Sequence, residues 1–200
     1  RAEADLVCTR LHAAKADPET RARLQALEEA VGAAAYQAND FKSALPHYRQ
    51  LVALAPDRTD IVRRIAACYR CLEDIDTCLK TLADLKDPEP MIEEAHGLLL
   101  APPPEEKRKA VEQALRAAAL RLAEPLAGKD EAARKAAVEA VRRQGRRILS
   151  ALAAELEENP KASPAVLEAG SAITGIPNEP ATPNGTKAKA AAWRAWLEKK

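Results

Sequence analysis

Residues 31–56 read VGAAAYQANDFKSALPHYRQLVALAP, and residues 65–90 read IAACYRCLEDIDTCLKTLADLKDPEP. Set 34 residues apart, the two stretches match class for class. Gly32 falls on Ala66, Ala44 on Cys78 and Tyr48 on Leu82, while Asp40-Phe41 falls on Asp74-Ile75 and Pro56 on Pro90. A repeat of this period marks one supersecondary unit that cannot bury its apolar face alone and stacks on its neighbours. The local chemistry says which unit. A helix runs to about Ala38, Asn39-Asp40 closes it with a tight turn, and a second helix starts near Phe41 and ends before Pro56. Two antiparallel helices approach closely where side chains are small, as at Gly32 and Ala44, and Tyr36 and Tyr48 fill the space above and below. Residues 59–86 repeat the scheme, with Ile65, Ala66 and Tyr69 on one helix and Cys78, Leu82 and Leu85 on the next. Pro46 breaks the pattern. It removes a helical hydrogen bond and predicts a kink or a delayed start.

Composition agrees. Of 200 residues, 45 are alanine, and aromatics make up only 3%. Such helix-former composition argues against a β-sandwich or barrel. Charges nearly cancel at a net +1, so there is no general electrostatic reason to expect nucleic acid or an acidic membrane as partner. No stretch approaches the ~20 apolar residues of a membrane span. No signal peptide is visible, and the chain begins at Arg1 rather than Met, which reads as a processed chain or a fragment. The compartment is therefore open: cytoplasmic is the simpler reading, exported (periplasmic) if Arg1 follows a cleaved leader.

The repeated residues Val31-Gly32, Tyr36, Asp40-Phe41, Ala44, Tyr48 and Pro56, and then Ile65-Ala66, Tyr69, Asp74-Ile75, Cys78, Leu82 and Pro90, resemble the tetratricopeptide repeat family over about residues 25–90. The family's early tryptophan is replaced by Glu28 and Val62. The resemblance implies a right-handed helical-hairpin solenoid with a concave groove lined by the first helix of each pair. Carried over residue by residue, that groove holds Glu29, Ala33, Tyr36 and Gln37, then Arg63, Ala67, Arg70 and Cys71. Chaperone-binding members read a carboxylate tail with Lys and Asn at set places. Here those places hold Glu29, Ala30 and Ala33, with only Arg64 agreeing, so an acidic or aromatic peptide suits Tyr36, Arg63 and Arg70 better.

The flanks extend the array. Residues 3–16 read as a helix ending a preceding repeat, which lengthens the helix after Pro18. Residues 91–100 and 105–124, joined by Pro102-Pro103-Pro104, read as a third, degenerate pair with Val111, Leu115, Ala118 and Leu122 in one stripe. The expected domains are 1–126, tetratricopeptide-like, and 127–200, a helical C-terminal unit, in an all-α fold. In the latter, a long helix runs from Lys129-Asp130 to about Glu158 with Val138, Val141, Ile148, Leu152 and Leu156 buried. Ser163-Pro164 starts another helix, residues 174–186 form a Pro-rich loop, and 187–199 form a last helix. Ile173-Thr174-Gly175 with Trp193 and Trp196 loosely resembles the tail of HEAT-type helical repeat proteins.

Catalytic chemistry finds no constellation. His12, His47 and His96 lack a nucleophile or paired carboxylate at a recognisable spacing, and phosphate-loop, H-E-x-x-H and Ca²⁺ motifs are missing. The reading is therefore a non-enzyme without cofactor or metal. Cys68-x-x-Cys71 with Cys78 lacks a second ligand pair for zinc, so these cysteines are read as small packing residues, with a disulfide as the alternative. Arg142, Arg143, Arg146 and Arg147 lie at i, i+4 on one helix side, either as a solvated face or as an anionic docking patch. Trp193 and Trp196 either dock the last helix or form an exposed hot spot. Together these features predict a protein–protein interaction scaffold. The alternatives are a subunit of a larger complex with its groove permanently filled, and a nucleic-acid-associated protein using the arginine cluster.

Overall fold

The computed structural model describes residues 17–101, 103–159, 164–177 and 183–199. Over these residues the fold is all-α, and the chain divides into two compact units, the first ending at Leu85 and the second beginning at Lys86. The helices at 91–100 and 105–124, read from the sequence as the end of the repeat array, gather with the second unit. The helix expected at 3–16 lies outside the described residues.

The first unit contains α1 (Pro18–Gln37), α2 (Phe41–Leu54), α3 (Thr59–Cys71) and α4 (Ile75–Ala83). Asp17 caps α1: its carboxylate accepts from the Thr20 amide at 2.9 Å and the Thr20 hydroxyl at 2.7 Å. These two bonds hold the Asp17 carboxyl below its ordinary pKa. The two hairpin turns are the same turn, 34 residues apart. Asn39 and Glu73 both take left-handed backbone, at φ 59° and 62°. Past them, the Asp40 amide donates to Ala35 O and the Asp74 amide to Tyr69 O, each at 2.9 Å. These bonds close the preceding helix in the manner of a Schellman motif. Asp40 then accepts from Ser43 N and Asp74 from Thr77 N, both at 3.1 Å, opening the next helix.

Pro46 does not delay α2, which begins at Phe41. The Asp40 cap fixes the start five residues ahead of the proline, so the missing N–H costs a bond inside the helix rather than its first turn. In the second copy α4 is only 9 residues long against 14 for α2. Leu85, though buried, therefore lies past the helix, and Pro90 sits in the first turn of α5 rather than between helices as Pro56 does.

The second unit contains α5 (Glu89–Leu100), α6 (Glu105–Ala123), a 3₁₀ turn (Glu124–Ala127), α7 (Glu131–Gln144), α8 (Arg146–Glu158), α9 (Pro164–Thr174) and α10 (Pro183–Glu198). The expected single helix from Lys129 to Glu158 is two helices. Gly145 breaks it at φ 47° and ψ −119°, a region glycine tolerates and side chains resist, and its amide donates to Val141 O at 2.8 Å. The last helix also starts earlier than expected, at Pro183, so Thr186 is a buried helical residue rather than part of a loop. Helix α8 packs against α6, α7, α9 and α10, and Ile148, Leu149, Leu152 and Leu156 are fully buried along it. The stripe Val111, Leu115, Ala118 and Leu122 on α6 is buried as its spacing predicts.

Candidate functional site

The predicted groove residues fall on two helices of the first unit. Glu29, Ala33, Tyr36 and Gln37 lie on α1, and Arg63, Ala67, Arg70 and Cys71 on α3. Tyr36 packs against α2. Its ring stands edge-on to Phe41 with centroids 5.3 Å apart, and 6.4 Å from Tyr48. Burial raises its hydroxyl pKa, the Cys71 and Cys68 thiols push the same way, and the Arg70 guanidinium opposes them. Tyr36 thus sits within reach of the charge and thiols at the end of α3. Gln37, Arg63, Arg70 and Cys71 are exposed, while Ala33 and Ala67 are half-buried. At the other end, Glu29 accepts from Arg58 Nη1 at 3.3 Å and Nη2 at 3.1 Å, and the same guanidinium holds Asp60 at 2.7 Å. These carboxylates raise Arg58 further above its already high pKa.

Two contacts that spacing does not reveal hold α2 and α3 together behind this face. Arg49 of α2 lies over the Tyr69 ring, 5.7 Å from its centroid, and donates to the Tyr69 hydroxyl. Arg64 of α3 lies over the Tyr48 ring at 5.8 Å and donates to the Tyr48 hydroxyl at 3.4 Å. Each helix gives an arginine to a tyrosine of the other. Gly32 makes room for Tyr48: a Cβ there would stand 2.9 Å from Tyr48 Cε1 and 3.2 Å from His47 Cβ. Glu28, where the repeat family carries tryptophan, instead meets His47 Nδ1 at 2.8 Å.

Cys68 and Cys78 are buried and Cys71 is exposed. Burial, with the Cys71 thiol adding to it, pushes Cys68 up to about 11, so its thiol stays protonated and packs as a small apolar group. Among the described residues no group of His, Cys, Asp and Glu is arranged to hold a metal ion, and no helix is long and apolar enough to cross a membrane.

The arginine cluster of the second unit does not form one helix side, because Gly145 divides it. Arg142 meets Glu139 at 3.5 Å. Arg143 and Gln144 both donate to Glu89 of α5, at 3.3 and 2.9 Å. Arg146 donates to Leu197 O and lies over the Trp196 ring at 5.9 Å. Arg147 donates to Gln144 Oε1 at 3.4 Å, and its charge joins burial in lowering the His96 pKa. Three of the four guanidiniums thus tie the α7–α8 corner to helices α5 and α10 or to its own buried glutamine. The tryptophans separate as well. Trp193 is fully buried, and Gly170 of α9 lies so close that any Cβ there would overlap its ring; Trp196 is only half-buried. Gly170 was legible as a glycine inside a helix of strong formers, a usual sign of close packing. Thr174-Gly175 ends α9: the Thr174 hydroxyl donates to Gly170 O at 2.8 Å and accepts from Ile176 N at 3.1 Å, and Gly175 takes φ 73°.

The structure therefore defines antiparallel helical hairpins with duplicated turns. The tetratricopeptide repeat family model matches residues 35–101, from the last turn of α1 to the end of α5. That stretch is similar to tetratricopeptide repeats, which generally mediate protein–protein interaction and are generally non-catalytic. No curated protein and no solved structure matches the chain.

Proposed function

We propose that the chain is a non-catalytic interaction scaffold that holds an extended or helical partner segment against the α1–α3 face of its first unit. The observation that supports this reading is that the hydroxyl of Tyr36 on α1 feels the charge of Arg70 and the thiols of Cys71 and Cys68 on α3, the next first helix of the repeat. That surface offers an aromatic ring, small residues at Ala33 and Ala67, and the exposed guanidiniums of Arg63 and Arg70. An aromatic ring beside cationic groups favours segments that bring carboxylates and aromatic or apolar side chains together. Glu29, paired with Arg58, marks the end of the surface where an acidic residue is least welcome.

The reading is tested with two libraries of labelled peptides of equal length, one rich in Asp, Glu, Phe and Tyr and one rich in Lys and Arg, titrated against the intact chain by fluorescence anisotropy. The acidic-aromatic library is expected to bind. Tyr36→Ala combined with Arg70→Glu is expected to weaken it at least about tenfold, which corresponds to ~1.4 kcal/mol, with helical circular dichroism unchanged. Equal binding by both libraries, or binding indifferent to the two substitutions, would refute the proposal.

A further inference from the structure

The end of helix α3 carries two thiols of opposite exposure. Cys68 is fully buried, and Cys71, the last residue of the helix, is exposed. Cys78, the third described cysteine, is buried on α4. A spacing of three residues makes Cys68 and Cys71 neighbours on the helix. Their Cα atoms are then about 5 Å apart, inside the range that a disulfide bridges. The pair is close enough for the Cys71 thiol to help raise the Cys68 pKa, and both thiols act on the Tyr36 hydroxyl. Cβ atoms at this spacing stand roughly 5–6 Å apart, wider than the ~3.8 Å of a relaxed bridge, so closure draws in the last turn of α3. That turn already mixes α and 3₁₀ bonding. The Leu72 amide is divided between Cys68 O at 3.0 Å and Tyr69 O at 3.1 Å, and the Glu73 amide donates to Arg70 O at 2.9 Å. The backbone around Cys71 therefore shifts at little cost to the helix before it.

We propose that Cys68 and Cys71 are a reversible redox pair for hydroperoxides, with Cys71 the sulfur attacked first and Cys68 the one that resolves it. The Cys71 sulfur attacks the peroxide, the O–O bond breaks, and one oxygen stays on sulfur as a sulfenic acid while the other leaves, protonated, as water or an alcohol. The Cys68 sulfur then attacks the Cys71 sulfur. The S–O bond breaks, and the oxygen departs as water with the proton that Cys68 gives up. Two thiols are thus oxidised to one disulfide and one peroxide is reduced. Burial keeps the oxidant from Cys68 and so fixes the order of the two sulfurs. A bridge that strains its helix end is readily opened again by a thiol. Cys71 also belongs to the groove face proposed above, so closure would alter that face. The sulfur chemistry stands or falls without it.

The test is mass spectrometry of the intact chain after hydrogen peroxide, with and without later dithiothreitol. Trypsin cuts after Arg64, Arg70 and Lys80, so a Cys68–Cys71 bridge joins peptides 65–70 and 71–80. Cys78→Ala leaves one cysteine in the second peptide and makes the joined pair unambiguous. The expected product is that joined pair, two hydrogens lighter than its separate peptides and returned to thiols by dithiothreitol. In Cys68→Ala, dimedone should trap a sulfenic acid at Cys71 at least about tenfold more than in the native chain. In Cys71→Ser, Cys68 should remain a thiol. The proposal would be overturned by sulfinic acid at Cys71 of the native chain with no joined pair, or by oxidation of Cys68 in Cys71→Ser. A bridge from Cys71 to Cys8, or a product of doubled mass that links two copies, would overturn it as well.

Discussion

The two halves of the molecule use their helices differently. In the first unit the hairpins are copies: turns, caps and left-handed residues recur 34 apart, and α1 buries only Gly32 completely. In the second unit no turn among the described residues is duplicated in this way. Helix α8 instead lies among α6, α7, α9 and α10 with five apolar residues fully buried along it, and Trp193 fills the space against Gly170. A repeated unit leaves the first helix of each pair partly uncovered, and the proposed partner would lie there. A helix enclosed by its neighbours spends its apolar surface on its own fold. The difference also sorts the arginines. Arg63 and Arg70 project from an exposed helix face, while Arg143, Arg146 and Arg147 fasten a corner.

The contrast can be broken most forcefully at Trp193. Trp193→Ala should cost about 3–5 kcal/mol in urea unfolding, the usual range for a buried tryptophan. Trp193→Phe should cost clearly less, because the indole Nε1 is buried without an acceptor among the described residues. A loss below about 1 kcal/mol for Trp193→Ala would mean that α10 is not part of the core. In the first unit the matching test is Gly32→Ala. The added methyl meets Tyr48, which is fully buried and cannot yield, so overpacking of about 1–3 kcal/mol should outweigh the helix-propensity gain of about 1 kcal/mol. A stabilised Gly32→Ala would show that α1 and α2 are less closely apposed.

Pro46→Ala has the opposite sign. It restores an N–H for Lys42 O at an exposed position, and should stabilise by about 1 kcal/mol once the greater freedom of the unfolded chain is set against it. The smallest effect sharpens the repeat itself. Asp40→Ala and Asp74→Ala remove equivalent caps and should lower the thermal midpoint by equal amounts, a few degrees at most. Unequal losses would show that the two turns, alike in geometry, differ in how much they support their hairpins.

Much of the first unit was legible because its information is local. Asp40-Phe41 and Asp74-Ile75 announce both cap and helix start, and the small residues repeat in register. What escaped was long-range or hidden in the backbone. Arg49–Tyr69 and Arg64–Tyr48 join residues 20 and 16 apart with no periodicity to flag them. Gly145 sits among strong helix formers, and the apolar stripe from Val138 to Leu156 reads continuously across it, so nothing in the pattern reveals that its φ is positive. That one dihedral puts Arg142 and Arg143 on one helix and Arg146 and Arg147 on the next, because an i, i+4 face needs an unbroken helix. For the candidate groove, the repeat located the helix faces, but the packing of the Tyr36 ring on Phe41 and Tyr48 is visible only in the fold.

The most direct test pits the two units against each other in partner capture. The intact chain, immobilised, is compared with Tyr36→Ala/Arg70→Glu in the first unit and Arg142→Glu in the second, and bound proteins are quantified by mass spectrometry. Arg142 is chosen because its exposed contact with Glu139 spans a single helical turn. The account predicts that the same proteins lost by the first variant are retained by the second. Retention by the first and loss by the second would contradict it.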